Sequence, residues 1–150
     1  MTEPARIKPP LGPDNAWWWQ QAAQGVLAIQ RCGGCQTLRH PPRPMCDRCR
    51  SMDWDFVAAS GRGVVNSYTV LHHPPFPGYH YPLIIVLVDL EEGTRMTSQL
   101  VECEPEQAQF DMPVELLIHT DPDGFRLPVF RPADRAKRAK RASVSATPGE

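Results

Sequence analysis

Four of the chain's five cysteines fall into two tight pairs, Cys32-Gly33-Gly34-Cys35 and Cys46-Asp47-Arg48-Cys49, with ten residues between them. Each C-x2-C turn presents two sulfurs on one side of a knuckle, and two knuckles supply the four tetrahedral ligands of a structural zinc site. The gap is shorter than the roughly 15–20 residues usual in such ribbons, but the ligand number and pairing are those of a zinc site. Gly33 and Gly34 allow the sharp turn and bring amide hydrogens toward sulfur, while Arg31, Arg48 and Arg50 offset part of the charge of four thiolates. A site closed by Cys32, Cys35, Cys46 and Cys49 lacks the open position of a catalytic zinc, so the ion is assigned to folding. The competing reading of the same residues is a pair of redox dithiols. His40 lies in the intervening loop beside Pro41, Pro42 and Pro44, and is expected at the surface rather than on the metal.

Five cysteines would leave one unpaired in a disulfide scheme, so metal binding in a reducing compartment fits better, and a cytoplasmic location is expected. Residues 1–13 mix prolines with charges where an export signal needs a continuous apolar core. The longest apolar run, residues 83–88, is far short of the roughly 20 residues of a membrane helix, so no membrane contact is expected. A length of 150 residues allows one ordinary domain and a small appendage, and 17 prolines with 10 glycines favour short elements and many turns. The expected fold is mainly β. Residues 131–141 hold six basic side chains against Asp134 alone, which leaves the rest of the chain at −6. That imbalance argues against a body that tracks a nucleic-acid backbone.

Residues 14–31 read as an N-terminal helix and a lead strand, with Asp14 or Asn15 as cap and Gly25 as stop. Trp17, Trp18 and Trp19 together span about 200° of helix surface, so they cannot all enter one apolar stripe. At least one has to meet something else, in this chain or in a partner. The zinc ribbon occupies residues 32–52. A further domain at 53–133 opens with a strand at 54–60 and the Gly61-Arg62-Gly63 bend. Strands then follow at 64–71, 83–90, 95–101, 114–119 and 125–130, with a helical turn at 105–110 after the third. Five strands with that interruption match a five-stranded OB-fold barrel. Residues 134–150 read as a disordered basic tail.

Several segments together resemble the family of domain of unknown function 35, proteins associated with acyl-CoA that join a rubredoxin-like zinc ribbon to an OB fold. The segments are the aromatic helix before Leu27-Ala28-Ile29-Gln30-Arg31-Cys32, the two cysteine pairs, and Ser60-Gly61-Arg62-Gly63-Val64-Val65. Gln99-Leu100-Val101-Glu102-Cys103, Met112-Pro113-Val114-Glu115 and Leu127-Pro128-Val129-Phe130-Arg131-Pro132-Ala133 complete them. A departure is Asp111, where members of the family often carry glycine. The resemblance implies a non-catalytic subunit that partners thiolase-like aldolases or MaoC-like hydratases acting on acyl-CoA thioesters, including those of steroid side-chain degradation.

The residues themselves offer no catalytic constellation above background. His72 and His73 are read as neighbours on a strand that point to opposite faces. Cys103 sits between Glu102 and Glu104, a poor setting for a thiolate nucleophile. Asp89, Glu91 and Glu92 are read as a solvated rim. The stretch from His72 to Pro82 is rich in proline and aromatic residues and joins the first two barrel strands. Its Phe76, Tyr79 and Tyr81, with the three tryptophans, are the expected contacts to a partner enzyme or to acyl-CoA. The same rings would suit base stacking in a nucleic-acid-binding protein, and a free-standing acyl-CoA enzyme is the other alternative.

Overall fold

The computed structural model describes residues 4–133. The tail at 134–150, expected to be disordered, lies outside the described residues. An irregular arm leads to helix α1 (Ala16–Ala23), followed by strands β1 (Ala28–Cys32), β2 (Leu38–Arg39) and β3 (Trp54–Ala58). These three form an antiparallel sheet in the order β2-β1-β3. Strands β4 (Arg62–Leu71), β5 (Leu83–Leu90), β6 (Arg95–Leu100), β7 (Pro113–Thr120) and β8 (Arg126–Pro132) close into a barrel in the order β4-β5-β6-β8-β7. All neighbours are antiparallel except β6 and β8, which meet in parallel at Leu100 and Phe130. A mainly β chain with a five-stranded barrel of OB type is therefore what forms.

Alternating burial builds the barrel. Along β5, Ile84, Val86, Val88 and Leu90 are buried, whereas Ile85 and Leu87 between them are half-buried on the outer face. Val65, Met96, Leu100, Val114, Val129 and Phe130 join the inward set. A bulge in β4 between Val65 and Ser67 adds the curvature that closure needs. Gly61 turns at φ +79, and a Cβ there would stand 2.8 Å from Leu116 Cβ, so the expected bend is strictly a glycine position. Asp111 also takes a left-handed φ of +58, which explains why glycine suits this turn and why aspartate, a residue that tolerates that region, can replace it.

Three features depart from the sequence reading. The strand at Trp54, which the sequence reading grouped with the domain at 53–133, pairs with β1 from Ala28↔Ala58 to Cys32↔Trp54 and so joins the ribbon sheet. The short β2 covers the other edge of β1, so the knuckle sheet satisfies its central strand on both sides. Asn15 stands at the cap of α1, but its side chain accepts from Gly12 N at 2.8 Å and donates to Pro10 O at 3.1 Å instead of capping. The cap residue thus ties the arm to the helix.

Helix, ribbon and barrel share one core. Trp18 and Ala22, one turn apart on α1, are buried together with Leu27, Ala28 and Ile29 of the ribbon and Phe130 of the barrel. The Trp18 indole donates to Ala28 O at 2.8 Å, which fixes α1 on β1. Among the described residues, no helix is long and apolar enough to cross a membrane.

Candidate metal centre and apolar cleft

The four cysteines converge at the end of the ribbon, with all their Sγ atoms within 4.8 Å of one another. Cys32 and Cys49 are 3.4 Å apart and Cys35 and Cys46 3.6 Å. Zinc–sulfur bonds of about 2.3 Å in a tetrahedron place sulfurs roughly 3.8 Å apart, so the cluster fits zinc. The Gly34 amide donates to Cys32 Sγ at 3.3 Å and Thr37 Oγ1 lies 3.1 Å from Cys35 Sγ.

The Cys35 amide holds Cys32 below the usual thiol range, Thr37 does the same for Cys35, and the Cys49 amide for Cys46. Cys49 goes the other way. The Ser51 amide favours its thiolate, but the crowded sulfur of Cys32 and burial outweigh that and push it to about 11. A bound cation would favour the thiolate form of all four sulfurs. Of the expected arginines, Arg31 spends its charge on Asp55 at 2.8 Å, while Arg48 reaches Thr37 Oγ1 at 3.4 Å beside the cluster.

His40 is half-buried rather than fully exposed. It packs on Trp18 with ring centroids 5.5 Å apart, and burial pushes its pKa down to about 4 from an ordinary 6.5. The imidazole is neutral in the fold, so between pH 6.5 and 4 the unfolded chain binds the extra proton, and stability is lost as pH falls through that window. Wild type should lose about 2 kcal/mol more than His40→Gln between pH 7 and pH 5, measured by urea unfolding. Equal slopes would refute this. Gln30, which the sequence reading missed, is the loop's other anchor. It is buried, and its Oε1 accepts from Arg39 Nε and Arg43 N, each at 2.8 Å. An amide beside Ile29 on the face of β1 opposite Arg31 was the available signal.

The tryptophans divide as their spacing requires. Trp18 enters the core. Trp17 packs on Trp54 and Phe56 of β3 at 4.7 and 5.6 Å, and both of those rings remain 39% exposed. Trp19 leans on Phe125 at 5.3 Å on the opposite side. There it lines an apolar cleft of ≈ 590 Å³ with Phe76, Tyr79 and Tyr81. The structure thus brings Trp19 together with the three loop aromatics and sets Trp17 on a separate face. Tyr81 Oη holds the loop, accepting from Phe76 N at 3.1 Å and donating to Pro74 O at 3.2 Å.

The arm forms the cleft's outer wall, which sequence reasoning missed because residues 4–13 carry no regular period. Arg6 donates from Nε to Asp121 Oδ1 at 3.0 Å and from Nη1 to Gln99 at 3.1 Å, and its guanidinium lies 4.9 Å from the Tyr79 ring centre. Lys8 pairs with Asp123. Gly78 takes φ +79, and a Cβ there would stand 2.6 Å from Arg6 N. The Arg6 and Asp121 side chains are only 11% and 4% exposed. Asp121→Ala should cost about 2 kcal/mol, less than a typical broken buried pair, because the arm can carry Arg6 into water. The check is faster proteolysis within residues 4–12; unchanged cleavage would contradict the clamp.

The remaining candidates are spent elsewhere. His72 and His73 follow the end of β4 instead of lying on it. Cys103 is half-buried, and burial, with Glu104, raises its pKa. Asp89 and Glu91 pair with Arg95 and Arg62, and Glu92 accepts from Ser60 N at 2.6 Å.

A four-cysteine ribbon feeding a five-stranded barrel defines a zinc-ribbon/OB-fold protein. Residues 19–55 match the ChsH2 rubredoxin-like zinc ribbon domain and residues 56–119 the ChsH2 C-terminal OB-fold domain. The chain belongs to the DUF35 family, in its ChsH2 branch. It is 50% identical over 129 residues to a probable enoyl-CoA hydratase alpha subunit of Thermomonospora curvata, covering 85% of this chain and 40% of the relative. It is 38% identical over 119 residues to the 3-oxo-4,17-pregnadiene-20-carboxyl-CoA hydratase alpha subunit of Mycobacterium tuberculosis, covering 79% of this chain and 38% of that one. The chain thus spans about two fifths of either relative's length. Among solved structures, a chain of the Ltp2-ChsH2(DUF35) aldolase superposes with a TM-score of 0.82 at 48% identity, over 85% of this chain and 100% of the other.

Proposed function

We propose that this chain is a non-catalytic accessory subunit that binds and supports a thiolase-like acyl-CoA enzyme, an aldolase or hydratase of steroid or lipid side-chain catabolism, in the cytoplasm. The observation that carries this reading is the superposition on the whole of a chain that belongs to an aldolase of two named components. The geometry agrees with it. The metal site is closed by four sulfurs, and the polar groups near the cleft are paired with one another, so what the chain offers outward is aromatic surface at Trp17, Trp19, Phe76, Tyr79 and Tyr81.

Co-expression with a thiolase-like aldolase encoded nearby should give a stable hetero-oligomer whose turnover of an acyl-CoA thioester exceeds that of the partner alone. A partner that is fully active and never retains the chain would refute the proposal. Turnover by the chain alone would favour the free-standing enzyme instead. The nucleic-acid alternative has less support, because residues 4–133 carry 11 basic against 14 acidic side chains and the rings gather under the arm rather than on a basic face.

A further inference from the structure

The cleft between arm, helix and loop is built, not incidental. Three separate parts of the chain converge on it: the arm at Arg6–Pro10, Trp19 of α1 and the loop aromatics, over a floor of Ile85 and Leu127 from the outer barrel face. Its ≈ 590 Å³ lies within the range of about 300–1,000 Å³ typical of small-molecule sites. Close passage of the arm over Gly78 and the Arg6–Asp121 pair lock the outer wall in place.

The charge pattern limits the occupant. The two cations on the wall are already neutralised from within, Arg6 by Asp121 and Lys8 by Asp123. Among the described residues no carboxylate lines the cleft, and those residues carry a net charge of −3. A polyanionic nucleotide would find no free cation here, whereas a flat apolar body would find rings on several sides. Resting on the accessory-subunit reading, we infer that this cleft receives the uncharged fused-ring or alicyclic acyl portion of the partner's thioester, and that the coenzyme A portion stays outside it.

The test uses the full zinc-loaded chain and progesterone, an uncharged steroid, followed by calorimetric titration. Saturable binding is expected, about fivefold weaker in Phe76→Ala, which removes one rim ring that is 46% exposed. It should be roughly tenfold or more weaker in Leu127→Glu, which puts a carboxylate on the floor. Phe110→Ala, an exposed ring away from the cleft, should leave affinity unchanged and so reports nonspecific adhesion. Thermal melting of each variant identifies any loss that is merely unfolding. Coenzyme A without an acyl group should not displace progesterone.

The inference is overturned if progesterone fails to bind saturably to both the free chain and its complex, or if coenzyme A displaces it. It is equally overturned if a photo-crosslinker at position 76 captures the partner's polypeptide in place of the steroid. Failure of the accessory role would show separately, as absence of co-purification.

Discussion

Cys46→Ser should leave the chain without stoichiometric zinc and with an unfolded ribbon. Cys46 is fully buried, its amide donates to Ser51 O at 2.9 Å, and its Sγ faces Cys35. A serine hydroxyl does not ionise to bind zinc, and three thiolates alone cannot close the site. Structural zinc binding in such ribbons amounts to about 10 kcal/mol or more, which exceeds what a three-stranded sheet of short strands contributes by itself. The consequence extends past the knuckles, because α1 leans on β1 and Trp18 donates to Ala28 O. Hydrogen exchange should therefore accelerate over 28–32, 54–58 and 16–23 together, while amides at 84–88 in the barrel keep more of their protection. Chelation of wild type should reproduce the pattern. A metal-free chain whose ribbon amides stay protected would show that zinc is not what holds this element.

Trp18→Ala should be the most damaging substitution outside the metal site, at about 4 kcal/mol. The indole is 6% exposed, meets Trp19 edge-on at 4.8 Å and packs on His40. Its removal leaves a cavity at the junction of helix, ribbon and barrel and orphans the Ala28 carbonyl. Trp18→Phe keeps most of the volume and loses the hydrogen bond, so a loss of about 1–2 kcal/mol is expected there. By contrast, Trp17→Ala removes a half-buried ring that faces Trp54 and Phe56, and should cost clearly less. Denaturant unfolding of the three variants checks the order; equal losses for Trp17→Ala and Trp18→Ala would mean that the core does not run through Trp18.

Much of this architecture could be read from spacing. The cysteine pairs located the ribbon, and the unbroken apolar run at 83–88, bounded by turn residues, located a barrel strand, although only the fold shows which of its residues face inward. Pairing was less visible. Nothing in Trp54-Asp55-Phe56-Val57-Ala58 says whether its partner is β1 or the barrel, since both choices bury one face equally well. The crowding of three tryptophans showed that they must diverge, and they do, but which one enters the core depends on where Ala22 and β1 stand. The arm was illegible for a different reason. Its order comes from Arg6 reaching Asp121 and from passage over Gly78, contacts made between distant parts of the chain that leave no local period. The partial burial of His40 is likewise set by a ring packed from another element.

The single core that runs from Ala22 through Leu27 and Ile29 to Phe130 also bears on how such a unit can be passed between proteins. A cut between ribbon and barrel would strand apolar surface on both pieces, so neither half is a portable module. Ribbon and barrel must be fused, shuffled or transplanted as one cassette. A polypeptide that acquires this barrel with its core complete therefore acquires the zinc ribbon with it.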